Sequence, residues 1–218
     1  MDMWSSWVDL IWASVQYLSA DVGLGVGLSI IAMTVLLRVV ILPLTWQITY
    51  RGQIRQRKLA LLQPELLQLK ERYTHDPQQY AAAMIEAYRR RGLTLIDGRS
   101  LLGAFVQMPI VLGMFSALRH GLTQGRFLWV ANLAKPDLVL ALLAGFTTGL
   151  LMFAAPDLPD HLRVMMLIVP AVLMVLAALQ FSSGIALYWA TSNVLSAAQT
   201  VAVRTVVTRR VKSGKIAI

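Results

Sequence analysis

The chain has 218 residues, 57% of them apolar and only 14% charged, with no cysteine and a formal net charge of +9. A soluble domain of this size carries about a quarter charged residues and slightly under half apolar ones, so the composition excludes an ordinary soluble domain. A mean hydropathy of +0.62 excludes a disordered segment, and the lack of cysteine excludes a disulfide scaffold and any thiolate metal site. So strong a basic excess on so apolar a chain either faces nucleic acid or marks the cytoplasmic side of a membrane protein, and the placement of the charges decides.

Residues 1–22 place Trp4, Trp7, Val8, Ile11, Trp12, Val15 and Leu18 at helical spacing. This pattern predicts an amphipathic helix lying in the outer interface with its tryptophans at headgroup depth. The segment has no basic start and no small-residue cleavage site, so it does not read as a cleavable signal peptide. Crossing about 30 Å of hydrocarbon takes roughly 17 to 25 residues of helix, and five runs have that length and character. They are 23–47, 100–118, 138–155, 164–181 and 183–203. The second contains Gln107 and Pro109, and the fifth contains Ser192, Asn193, Ser196 and Gln199, but neither holds a charge. The expected architecture is therefore all-α and polytopic, with five transmembrane helices.

Between the first two spans, residues 48–99 alternate Leu and Ile with Arg, Gln and Lys at helical period. Asp76, Pro77 and Gln79 form a helix start, with Asp as cap, Pro at the first position and Gln closing a capping-box-like pair. Gly92 stops that helix after Arg89, Arg90 and Arg91, which suit its negative end. The reading is a helical hairpin with arms at 51–73 and 77–91, in which Pro64 kinks or restarts the first arm. Residues 119–137 form an outer connection, 156–163 a cytoplasmic turn and 204–218 a basic tail. Of the 20 Lys and Arg residues, all but Arg38, Arg119, Arg126 and Lys135 fall in the hairpin, the 156–163 turn or the tail. Five crossings put these three segments on one side, which the positive-inside rule makes the cytoplasm. The N-terminus is then outside and the C-terminus inside.

Arg38 lies inside the first span, about 14 Å from Gln47 at 1.5 Å per residue. Its insertion at such depth costs at least about 2.5 to 3.5 kcal/mol, so it faces protein or a wet cavity rather than lipid. Every carboxylate lies outside the five runs, which leaves no intramembrane acid to neutralise it, as a proton-coupled pump would need. Two readings stay open: a structural guanidinium bonded to carbonyls of a broken neighbouring helix, or a functional charge in a water-filled cavity. Thr34, Arg38 and Thr45 share a face of the first span, and Ser192, Ser196 and Gln199 lie below Trp189 on the fifth. Ser and Thr also serve as packing positions between membrane helices, whereas Gln107 and Asn193 are more expensive to hide and make better cavity candidates.

Other chemistry is not supported. His75, His120 and His161 lack ligand spacing, Ser182 and Ser183 have no partner His for nucleophilic catalysis, and no phosphate loop or dinucleotide fingerprint exists. No enzyme activity, metal or cofactor is expected. The hairpin cations Arg51, Arg55, Arg57, Lys58, Arg89, Arg90 and Arg91 suit anionic lipid headgroups or ribosomal RNA, not DNA. The charge bias that sets topology also explains them without a partner.

The ordered set of motifs is similar to that of the YidC/Oxa membrane-protein insertases. An intramembrane Arg is followed by Leu-Pro-Leu (Arg38 to Leu44), and a basic hairpin contains Gln63-Pro64-Glu65. Then come Gln107-Met108-Pro109-Ile110 and Phe127-Leu128-Trp129, and last Gly184-Ile185-Ala186-Leu187-Tyr188-Trp189 with Ser192-Asn193 and Gln199. The resemblance covers residues 22–204. It implies a five-span core and a hydrophilic groove, open to cytoplasm and lipid but closed outside, in which Arg38 is the counterpart of the family's arginine. Thr34, Gln107, Trp189, Ser192 and Asn193 complete the expected client-binding groove. The implied partners are nascent or newly made membrane proteins, with the Sec translocon, the ribosome and anionic lipids as further ones, and the chain is expected to work as a monomer. Residues 93–102 lack the family's Asn-Pro and Cys. The large periplasmic domain and extra N-terminal span of Gram-negative members are not expected, nor is a lipoprotein signal, and the short tail argues against tail-mediated ribosome docking. The rival readings are a small anion-selective transporter or channel using Arg38, and a scaffold or chaperone indifferent to it. Transporter folds often carry internal repeats, and none is visible in the sequence.

Overall fold

In a computed structural model, which describes residues 2–94, 98–154 and 160–216, the chain is all-helical among the described residues. Seven helices follow in order: α1 (Met3–Ala20), α2 (Val26–Arg72), α3 (Pro77–Arg90), α4 (Gly98–Gly121), α5 (Leu138–Ala154), α6 (Asp160–Ala178) and α7 (Ser183–Lys212). Local chemistry sets several of their ends. Gly23 and Gly25 break the chain between α1 and α2 with φ of 77° and 74°, a conformation that glycine adopts without steric cost. Asp76 caps α3 by accepting from Gln79 N at 2.9 Å, with Pro77 at the first position, as the sequence predicts. Asp137 starts α5 by accepting from Leu140 N at 2.9 Å.

Two expected boundaries are changes of composition rather than of backbone. α2 runs for 47 residues through Gln47 and Pro64, so the first span and the first hairpin arm are one helix and Pro64 does not restart it. The residues after Gln47 exchange apolar for polar side chains, and the helix continues through Gly52 into an Arg-, Gln-, Lys- and Leu-rich stretch of good helix formers, so the surroundings change while the hydrogen-bond ladder continues. α7 likewise runs past Val203 through most of the basic tail. Residue 155 and residues 156–159 of the expected cytoplasmic turn lie outside the described residues, and α6 begins at Asp160.

Neighbour contacts fix the relative directions. Ile48 faces Gly103 and Phe127 faces Gly27, so α2 and α4 are antiparallel. Arg38 meets Ser192, Thr45 meets Gln199 and Arg57 meets Thr208, a steady offset that makes α2 and α7 parallel. Lys135 meets Ser183 and Thr148 meets Asn193, so α5 is parallel to α7 as well. Gly145 admits Val175, and Gly149 faces Leu167, so α5 and α6 are antiparallel. Glycine at 145 lets the α6 backbone approach closely, with Ala171 O 2.8 Å from the position of a Cβ, the usual device where no water drives helices together. By length and composition α2 qualifies as a membrane-crossing helix, and α5 and residues 164–178 are shorter apolar helices.

The core gathers at the end where α2 and α7 begin. Ile30, Met33, Met114, Leu118, Leu122, Leu133 and Ile185 are buried there, and this is the closed end below. α1 packs along α2 and α4. Ile11 and Val15 are buried, with Trp7, Val8 and Trp12 packed beside them, and Trp7 Nε1 donates to Pro109 O at 3.1 Å. Most of the predicted apolar stripe of α1 is thus covered by protein, and Trp4 stays exposed. The hairpin of lower α2 and α3 has its own small core of Leu62, Ala87 and Leu93, flanked by Glu65 with Arg90 and Arg91 at 4.0 and 3.9 Å.

Candidate functional site

Toward the other end of α2 and α7 the apolar packing gives way to a cavity of ≈ 460 Å³ lined by α2, α4 and α7, with Leu151 from α5. Its innermost charge is Arg38, half-buried, whose Nη2 donates to Ser192 Oγ. Tyr188 is buried beside it, one turn above Ser192. Further along, Gln199 bridges the two helices, its Oε1 accepting from Thr45 Oγ1 at 3.3 Å and its Nε2 donating to Thr49 Oγ1 at 3.4 Å. Gln107 supplies an amide from α4. Asn193 also borders the cavity, but its Nδ2 donates to Thr148 Oγ1 at 2.8 Å and ties α7 to α5.

The electrostatics follow from what is missing. Among the described residues the ion pairs all lie in the hairpin, and no carboxylate reaches Arg38. A guanidinium has five N–H donors, so one serine hydroxyl leaves most of its capacity for water or an acidic visitor. The closed end seals this space from the other side. Phe181 stacks edge-to-face on Phe115 at 5.0 Å and on Trp189 at 5.9 Å. Phe127 then closes over Gly27 and Leu122 over Gly184, where an added Cβ would lie within 2.5 Å of each.

The cavity also has an open flank. α4 touches α1, α2 and α7, and among the described residues no Cα of α4 lies within 8 Å of one in α5. Both helices carry exposed apolar side chains, Phe105, Met108 and Leu112 on α4 and Phe146, Leu150 and Phe153 on α5. The arrangement is a cavity that collects Arg38, Thr45, Gln107, Ser192 and Gln199 among apolar side chains and is bounded at one end by the buried core.

The family model described as 60Kd inner membrane protein matches residues 17–210 of the chain. The chain belongs to this family. It is 32% identical over 180 residues to the membrane protein insertase YidC of Fusobacterium nucleatum, covering 79% of this chain and 83% of that one. It is 28% identical to the protein of the same name in Clostridium tetani, covering 80% of each. To the YidC of Pseudomonas entomophila it is 31% identical over 79% of its length, spanning 31% of that longer relative. The family resemblance read from the motifs is thereby established.

Of the expected groove residues, this family member brings Arg38, Gln107, Trp189, Ser192 and Asn193 to one cavity. Thr34 is not among them. It is 1% exposed and its hydroxyl donates to Ile30 O at 2.6 Å, so it is a packing residue of the closed end. The hairpin cations do not converge on the groove. Arg55 donates to Thr94 O and Arg57 to Thr208 Oγ1. Arg89 pairs with Glu86 at 3.1 Å, Arg90 and Arg91 flank Glu65, and Arg51 points out. Tyr188 and Thr49 escaped the sequence reading, although helical spacing carries the signal. Thr49 lies four residues after Thr45 and Tyr188 four before Ser192, so both continue the polar stripes already seen.

Proposed function

We propose that the chain is a membrane protein insertase that guides hydrophobic segments of client proteins into the bilayer. The observation that carries this reading is an Arg without a carboxylate, set in a polar groove that ends against a dry core. On this reading α2, α4, α5, α6 and α7 cross the bacterial plasma membrane with the N-terminus outside and the hairpin and C-terminus in the cytoplasm. The alternating helix directions and the basic hairpin and tail support that orientation.

A hydrophilic tail or short loop of a client enters the groove from the cytoplasm, where water follows it, and one of its acidic residues pairs with Arg38. The polar part is thus solvated part-way across instead of meeting hydrocarbon. The client's apolar segment then moves sideways into lipid. Its path out is the side where α4 and α5 stand clear of each other, so that it leaves against the third and fifth spans, α5 and α7. Each Leu, Ile, Phe or Val of the client favours the membrane by about 0.3 to 0.6 kcal/mol at the helix centre, and no nucleotide, metal or chemical step is needed. Nascent and newly made membrane proteins are the clients, the hairpin receives them or their delivery partner, and a single copy suffices. The Sec translocon, the ribosome and anionic lipids are further partners.

The test replaces Arg38 by Ala and by Lys and measures insertion of a client with an acidic N-tail into reconstituted vesicles. Loss with Ala and partial retention with Lys is the expected pattern, because an ammonium keeps the charge but not the planar fork. Full insertion of every such client by Arg38→Ala would remove charge pairing from the mechanism and favour a scaffold.

A further inference from the structure

The connection 122–137 joins α4 to α5, the two helices that part at the open flank, and it is held at the closed end from several sides. Phe127 covers Gly27 of α2. Leu133 N donates to Gly125 O at 2.7 Å, while Ser183 N and Gly184 N of α7 donate to Lys135 O and Leu133 O at 2.9 and 3.0 Å. At the tip, Phe127 and Val130 exchange backbone hydrogen bonds of 3.0 and 2.8 Å, which pinches Leu128 and Trp129 into a tight turn. Leu128 has φ 49°, the one non-glycine residue with positive φ among the described residues. Gly, Asn and Asp are the usual occupants of that region, and a large apolar side chain there is uncommon.

Protein burial does not account for the leucine. Leu128 is 72% exposed and Trp129 52%, so the chain accepts a strained backbone to hold two large apolar groups away from its own core. The surroundings of Trp129 say what covers them. Its Nε1 donates to Asp137 Oδ1 at 3.3 Å, the oxygen that also caps α5. The next two residues, Leu138 and Val139, are exposed and begin the apolar face of α5 that continues through Leu142 and Phe146. The turn therefore extends a lipid-facing surface by one step at the helix end. An indole with its N–H bonded and its ring free is suited to the headgroup boundary, and Arg126, three residues before it, is exposed.

We infer that the Leu128–Trp129 turn is seated in lipid at the headgroup boundary of the leaflet at the closed end, forming a fixed lintel over the α4/α5 gap. Strapped to α2, α5 and α7, it holds that end of the gap at constant depth while the rest of the flank stays open. The inference rests on the membrane-spanning reading, and one control separates the two.

The cysteine-free chain allows single nitroxide labels at Leu128→Cys, Trp129→Cys and, on the exposed face of α5, Leu142→Cys, in vesicles of phosphatidylethanolamine and phosphatidylglycerol. Collisions with oxygen exceeding those with a water-soluble nickel chelate at all three sites is the expected result. Labels at 128 and 129 in water while that at 142 is in lipid would overturn the lintel alone, and water at all three would overturn the membrane reading with it. Labels shielded from both reagents at 128 and 129 would show protein, not lipid, on the turn. Should a labelled variant fail to fold, the emission lost in Trp129→Phe isolates that indole. Quenching of this component by brominated lipid supports the lintel, and quenching by aqueous iodide alone contradicts it.

Discussion

The two halves of the α2/α7 seam use the same pair of helices at the same offset, yet one is closed by packing and the other holds a cavity. In the sealed half Ser29, Thr34 and Ser183 are buried, but their hydroxyls are spent on the carbonyls of Gly25, Ile30 and Leu133 at 2.7, 2.6 and 3.2 Å. They present mainly methyl and methylene surface to their neighbours. In the half with the cavity Arg38, Thr45, Thr49 and Gln199 reach across the seam, and α4 stands clear of α5. Polar residue content alone does not make a groove. What makes it is donors that a side chain cannot return to its own backbone, together with a neighbouring helix that does not cover them.

Four substitutions sharpen or break this contrast. Leu133 is fully buried over Gly184, and Leu133→Ala is expected to lose about 2 to 5 kcal/mol, as large-to-small changes in packed cores do. Thermal unfolding in mild detergent measures it, and an unchanged midpoint would mean that the closed end is not a packed core. Gly184→Val pushes a side chain against Leu122, 2.5 Å from the position of a Cβ, with Ile30 and Leu133 behind. It is expected to cost about 1 to 3 kcal/mol in the same assay. Asn193→Ala removes the hydrogen bond to Thr148 and is expected to cost only about 0.6 kcal/mol, the average for such bonds between membrane helices. Thr49→Ala, inside the groove, is expected to fall within about 0.5 kcal/mol of wild type. A loss as large as that of Leu133→Ala would show that the groove is packed rather than wet.

Much of this was legible in the sequence. Asp76, Pro77 and Gly92 marked the second hairpin arm because capping is local chemistry, and Arg38 announced itself because a charge among Val and Leu is costly wherever the helix lands. The face-sharing stripes on the first and fifth spans foretold which helices meet. Less legible was where each hydroxyl is spent. Thr34 and Thr45 sit on the same stripe, and both hydrogen-bond back to their own helix. Only Thr45 also meets a residue on α7, a fact of tertiary packing. The continuity of α2 through residue 47 is hard to read because a change from apolar to polar neighbours, with Pro43 before it and Gly52 after it, resembles an end, yet the helix passes through all of them. The gap between α4 and α5 leaves no sequence signature, since exposed and buried apolar residues look alike on a membrane helix.

The central claim is that one seam is open to the cytoplasm and shut at the other end. The absence of native cysteine allows single substitutions Thr34→Cys, Thr49→Cys and Ser196→Cys to be probed with a membrane-impermeant maleimide applied to either face of sealed vesicles. Labelling of residues 49 and 196 from the cytoplasmic face only, with residue 34 refractory from both, is the predicted result. Reaction of residue 34 from the outer face, or inert residues 49 and 196 from the cytoplasmic face, would contradict the account.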